Sequence, residues 1–289
     1  MTRIFKWVGL VLGSAVALAL IAATALYIRG SGAITEVRTA ETASLQIPTD
    51  SSSIARGAHL AGIYGCVDCH GDNLAGTEMG DAPPFRLVAG NLTPGGLAAD
   101  FSSQDWDRAI RHGVGHDGRA LFVMPSGAYN KMSDADAADL IAYLQTLPPV
   151  ENDLGNVEWK PMGKILAGGP MDLASLVYTS SPPTASPAPD STAAWGGYVA
   201  GMMCAYCHGD NLEGKLPDGS DVYAPDLRAS GQWTPEQFHQ TMSTGESPGG
   251  HQMDPEVMPW TTTARMTQTE RESLRLYLAS LGPAPAPDA

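Results

Sequence analysis

Apolar and polar positions alternate in three ways along the chain, and each predicts a different element. From Trp7 to Ile28 the run WVGLVLGSAVALALIAATALYI carries no charge over 22 residues, a helical length of roughly 33 Å that matches a bilayer core. It predicts a single membrane-crossing helix, with Arg3 and Lys6 on the flank that stays cytoplasmic. Ala23-Thr24-Ala25 also fits a signal-peptide cleavage site. The run exceeds the roughly 7 to 15 apolar residues of a signal core, so residues 1–28 are read as a retained anchor, followed by a linker at 29–50.

Helical periodicity follows. Leu140, Ile141, Leu144 and Leu147 form an apolar stripe from about Asp134 to a Pro148-Pro149 stop. Leu274, Tyr277, Leu278 and Leu281 repeat the stripe from about Gln268 to Leu281. Ser133-x-x-Asp136 and Thr267-x-x-Glu270 are capping-box signatures ahead of these helices. Another helix is expected near Ser103–His112. A helix should also lead into each cysteine motif described below, with Gly57 and Gly62, or Gly197 and Gly201, permitting close backbone approach. The third regime is punctuation: SSPPTASPAPD, from Ser180 to Asp190, predicts an extended spacer. The stretch VEWKPMGKILAGGPMDLASLVY before it is too apolar for a linker and is expected to pack on a domain surface or partner. The expected architecture is all-α, with domains at 51–149 and 191–282, an inter-domain segment at 150–190 and a tail at 283–289.

Composition changes this picture in one respect. The 289 residues carry 31 acidic and 17 basic side chains, a formal charge of −14. That field argues against a nucleic-acid partner and for a basic docking surface on another protein.

The candidate chemistry lies in the cysteines. There are four, at Cys66, Cys69, Cys204 and Cys207, and each pair is a Cys-x-x-Cys followed directly by His70 or His208. Disulfides, a redox dithiol or a zinc site could use such pairs. A dithiol does not need the histidine, and a zinc site built from both pairs would leave both histidines unexplained. Cys-x-x-Cys-His is the pattern of covalent haem attachment: two thiols add to the haem vinyl groups and the adjacent imidazole reaches the iron. Two covalently bound c-type haems are therefore expected.

The similarity extends beyond the motif. HLAGIYGCVDCHGDNLAG (His59–Gly76) aligns with YVAGMMCAYCHGDNLEG (Tyr198–Gly214), MPSGAYNKMS with MPWTTTARMT, and DLIAYLQTLPP with SLRLYLASLGP. The chain is an internal duplication. With no spare cysteine, the sixth iron ligand must be Met or His. Met124, 54 residues after His70, and Met258, 50 after His208, are each followed by proline and are the candidates. Met79, Met242 and Met253 have no methionine counterpart. Met132 and Met266 correspond but precede helix caps, a packing position. His59, His112, His116, His239 and His251 have no histidine counterpart and read as solvated or hydrogen-bonded.

RGAHLAGIYGCVDCHGDNLAG, NLTP at Asn91–Pro94, RHGVGHDGRALFVMPSGAY and LIAYLQTLPPV resemble membrane-bound bacterial di-haem cytochromes c and the cytochrome c subunits of periplasmic alcohol, aldehyde and molybdenum hydroxylase dehydrogenases. The resemblance covers roughly residues 51–150 and, more loosely, 191–282. It implies cytochrome c-like domains with His70, Met124, His208 and Met258 as axial ligands, on the periplasmic side of a bacterial inner membrane. Those dehydrogenase subunits often carry three haems, against two motifs here. The expected role is electron transfer between a membrane or periplasmic redox complex and an acceptor, as a carrier rather than an enzyme, with no small-molecule substrate. A dehydrogenase subunit is the alternative. A di-haem peroxidase, which needs an open iron position, is a further one that the matched Met-Pro pairs argue against.

Overall fold

A computed structural model describes residues 2–214 and 224–282. The order of elements repeats itself. Helix α1 (Thr2–Thr35) is followed by α2 (Ser51–Ile63), α3 (Cys66–His70), a β1–β2 hairpin (Thr77–Asp81, Phe85–Ala89), α4 (Ser103–His112), α5 (Ser126–Tyr129) and α6 (Asp134–Leu144). After β3 (Glu158–Trp159) and α7 (Pro161–Ala167), the helices recur as α8 (Ala193–Met203), α9 (Ala205–His208), α10 (Pro235–Thr244), α11 (Trp260–Thr263) and α12 (Gln268–Ser280).

Capping fixes the starts of these helices. The side chains of Asp50, Ser102, Ser133, Thr192, Thr234 and Thr267 each accept a backbone N–H from the following first turn. The first helix of each unit packs on its last through a glycine. A Cβ on Gly57 would lie 2.0 Å from the Asp139 carbonyl, and one on Gly196 would lie 1.9 Å from that of Ser273. Only glycine allows backbones to approach so closely.

One sequence expectation needs correction. The architecture is mainly helical but not all-α: β1, β2 and β3 form a small antiparallel sheet. FRLVA follows Pro83-Pro84 and is too short for periodicity to reveal, and β3 pairs with it from about 70 residues away. The 29–50 segment is packed against the first unit. Helix α1 runs on to Thr35, Ala43 N–H donates to Asp107 Oδ2 at 3.0 Å, and Leu45 and Ile47 pack on the core. The buried apolar side chains of the two units form one continuous cluster, from Leu60 and Leu140 to Trp195 and Leu278. The apolar stretch before the spacer supplies β3 and α7, which pack on β2 and α1. The start of the spacer is pinned to the first unit, where Asp134 N–H donates to the Pro183 carbonyl at 3.0 Å. The tail at 283–289 lies outside the described residues.

The units meet about a pseudo-twofold axis. Arg56 and Trp195 occupy equivalent positions and stack on each other, with the guanidinium carbon 5.6 Å from the ring centroid. His59 meets Glu270, and the equivalent Tyr198 meets Asp136, the counterpart of Glu270. A Cβ on Gly62 would lie 3.5 Å from the Arg265 side chain, and one on Gly201 would lie 3.5 Å from that of the corresponding Lys131. Such reciprocal pairing is what an isologous homodimer interface shows; here it is built within one chain.

Candidate haem sites

Each Cys-x-x-Cys-His segment forms a single helical turn, α3 or α9, entered at Gly65 or Cys204 and left through Gly71 or Gly209 at positive φ (81° and 79°). The Gly-Asp-Asn-Leu-x-Gly that follows is a backbone cradle made identically twice. Leu74 and Leu212 take left-handed φ of 56° and 57°. Gly76 N–H donates to the His70 carbonyl and Gly214 N–H to the His208 carbonyl, both at 2.8 Å. The shared residues after each motif therefore hold the histidine-bearing turn in one shape.

The imidazoles are oriented alike. His70 Nδ1–H donates to the Gly90 carbonyl and His208 Nδ1–H to the Pro225 carbonyl, each at 2.7 Å. A carbonyl can only accept, so the tautomer is fixed and Nε2 keeps its lone pair. Nε2 of His208 is buried with no hydrogen-bond partner among the described residues. Burial pulls both histidines below their ordinary pKa, against the opposing carbonyl bond, so both rings are neutral near pH 7. A neutral, oriented imidazole with a free buried nitrogen is what a metal centre takes up.

The thiols fit attachment better than redox exchange. No disulfide joins them among the described residues. Burial pushes Cys66 and Cys204 up to about 12 and also raises Cys69 and Cys207. A catalytic dithiol would need the opposite shift.

Met124 and Met258 occupy matching turns. Pro125 (φ −79°, ψ 48°) and Pro259 (φ −74°, ψ 64°) centre inverse γ-turns, with Ser126 N–H on the Met124 carbonyl at 2.8 Å and Trp260 N–H on that of Met258 at 2.6 Å. Both methionines are half-buried, and Met124 packs on the core cluster. Val123, directly before Met124, sits at φ 75°, an uncommon conformation for a β-branched residue. Met132 and Met266 are buried at 0% and 2% exposure, as packing residues are.

Each motif is contacted by the opposite unit. Arg265 reaches Asp68, inside the first motif, at 2.8 Å, and Lys131 reaches Asp210, two residues after the second, at 2.7 Å. Thr262 Oγ1 donates to Asp68 Oδ2. Two features of this region are missed by sequence reasoning. One is the carbonyl that orients each histidine, which lies 17 to 20 residues downstream and belongs to no motif. The other is His112: it is fully buried, with Nδ1–H on the Tyr178 carbonyl at 2.6 Å and Nε2 unpartnered among the described residues.

With this geometry in place, the chain belongs to the cytochrome c family, whose model matches residues 54–148 and 195–282. Membership implies covalently bound haem c. The chain is 27% identical to the cytochrome c subunit of a quinone alcohol dehydrogenase from Gluconacetobacter polyoxogenes, over 85% of this chain and 60% of that one. It is also 32% identical to the fructose dehydrogenase cytochrome subunit of Gluconobacter japonicus, over 40% of this chain and 26% of that one. It is 35% identical to the gluconate 2-dehydrogenase cytochrome c subunit of Pantoea cypripedii, over 31% of this chain and 22% of that one. The chain thus spans about 60% of the length of the alcohol dehydrogenase subunit.

Proposed function

We propose that this protein is the di-haem cytochrome subunit of a membrane-attached dehydrogenase complex and passes electrons from the catalytic subunit to an acceptor. Cys66 and Cys69 would attach one haem, and His70 and Met124 would hold its iron. Cys204 and Cys207 would attach the other, and His208 and Met258 would hold its iron. The supporting observation is the duplicated cradle, in which each motif histidine has Nδ1 tied to a carbonyl.

Bound haem supplies a one-electron Fe(II)/Fe(III) couple. The protein's part is to hold that couple still. The carbonyls of Gly90 and Pro225 keep the imidazoles from rotating, and the Met-Pro γ-turns restrict the backbone that carries Met124 and Met258. The chain carries electrons within an oxidoreductase and leaves bond chemistry to a partner, a reading supported by the relatives' being cytochrome subunits of dehydrogenases. The names of the relatives favour a dehydrogenase subunit over the free-standing carrier that the sequence alone favoured. Helix α1 would anchor the subunit in the inner membrane, with the haem units on the periplasmic side.

Gentle solubilisation with an affinity tag on this chain tests the assignment. A dehydrogenase catalytic subunit should copurify, and its substrate should reduce the haems in the isolated complex. Recovery of the cytochrome alone, or with a quinol-oxidising complex and no dehydrogenase, would contradict it.

A further inference from the structure

The uncharged run of α1 is bracketed by interfacial aromatics, Trp7 at 67% exposure and Tyr27 at 37%. Twenty residues separate them, roughly 30 Å of helix, so they mark the two hydrocarbon boundaries. Helix α7 packs on α1 at the second boundary. A Cβ on Gly168 would lie 1.9 Å from the Leu26 carbonyl, and a Cβ on Gly30 would lie 1.8 Å from the Lys164 carbonyl. Two glycines thus let the backbones meet, and they meet within a turn of where the apolar run ends.

The side chains of α7 suit that depth. Lys164 Nζ sits 5.2 Å from the Tyr27 ring centroid and donates to its hydroxyl at 3.4 Å, a cation lifted toward the headgroups beside a belt aromatic. Met162 is 51% exposed, and Ile165 and Leu166 are half-buried, so apolar surface remains uncovered on α7. In water that surface is unfavourable; at the acyl boundary it is solvated.

We propose that α7 and the Gly168–Pro170 turn lie in the headgroup layer of the membrane that α1 crosses, docking the first haem unit on the lipid surface. The connection to that unit is rigid. Gly163 abuts the Pro84 carbonyl, and Lys160 N–H donates to that carbonyl at 3.1 Å. Strand β3 pairs with β2, and Phe85, Trp159 and Phe122 form an aromatic cluster with centroids 4.8 to 5.7 Å apart. Phe122 is two residues from Met124, and β2 ends one residue before the carbonyl that orients His70. The first unit, not the second, is therefore the membrane-proximal one. The proposal rests on reading α1 as a retained membrane helix.

Nitroxide labels on Leu12→Cys, Met162→Cys and Val257→Cys test it in the full-length holoprotein, in nanodiscs of phosphatidylcholine with a minority of phosphatidylglycerol. The haems are reduced first, so that their iron is diamagnetic. Power saturation with oxygen and with a water-soluble nickel chelate reports depth. Leu12 should read as bilayer core, Val257 as water, and Met162 between them, with oxygen access above nickel access. A Met162 label that matches Val257 while Leu12 reads as lipid overturns the docking and leaves the anchor standing. A Leu12 label that reads as water overturns both.

Discussion

His59 Nε2 lies 2.8 Å from Oε1 and 2.9 Å from Oε2 of Glu270, joining two residues 211 positions apart in the sequence. Glu270 also closes the capping box of α12 by accepting Thr267 N–H at 2.7 Å. One carboxylate thus caps a helix and ties the units together. On the other side of the pseudo-twofold axis the tasks are divided. The Tyr198 hydroxyl accepts Ser133 N–H at 2.8 Å and donates to Asp136, which is left to pair with Arg56 at 2.6 Å.

This contact makes the interface acid-sensitive. Burial pushes the Glu270 carboxyl up, but His59 and the Thr267 N–H outweigh it and hold it below its ordinary 4.5. A lowered carboxylate pKa contributes stability that is present above the unfolded value and lost as pH falls through the folded one. Melting temperature should therefore drop on acidification below about pH 5. Glu270→Gln should flatten that part of the profile and melt lower at pH 7, by the equivalent of about 1–3 kcal/mol. An unchanged acid limb in the variant would show that other carboxylates set it.

Glycine substitutions should discriminate by position. Gly57→Ala and Gly196→Ala place a methyl against backbone carbonyls and should each cost about 1–3 kcal/mol in chemical denaturation. Gly62→Ala meets only the Arg265 side chain, at 3.5 Å. It should change stability by no more than about 0.5 kcal/mol or raise it slightly, because alanine favours the helix.

The methionines should separate by role. Met124→Ala should remove half of the weak far-red sulfur-to-iron band, open one haem to carbon monoxide and lower one potential; Met258→Ala should do the same at the other haem. Met132→Ala and Met266→Ala should leave the spectrum intact and cost about 2–5 kcal/mol of stability. Spectra recorded beside denaturation curves would decide. Loss of the band on replacing Met132 would reverse the assignment.

Much of this was legible in the sequence because it is local or repeated. The two Cys-x-x-Cys-His motifs, the Met-Pro pairs and the Thr267 and Ser133 caps are each contained within a few residues, and the duplication let one copy check the other. The Ser103–His112 helix matches its expected bounds, and the two final helices end within three residues of theirs. What stayed hidden depends on distant pairing. His59 and Tyr198 do not match in chemical type, so alignment showed no shared role; only the folded interface shows both reaching the cap carboxylate of the opposite unit. The hairpin was hidden for a similar reason, since β2 gains a second partner only from β3. The histidine-orienting carbonyls of Gly90 and Pro225 are backbone atoms, which no residue pattern marks.

The central claim is that each motif carries its own haem, and the mass of the denatured protein tests it most directly. After acid–acetone extraction, which removes non-covalent haem, the intact chain should weigh the polypeptide plus two haems. Cys66→Ala with Cys69→Ala, and Cys204→Ala with Cys207→Ala, should each lower that to one. A wild-type mass equal to the bare polypeptide would contradict the account.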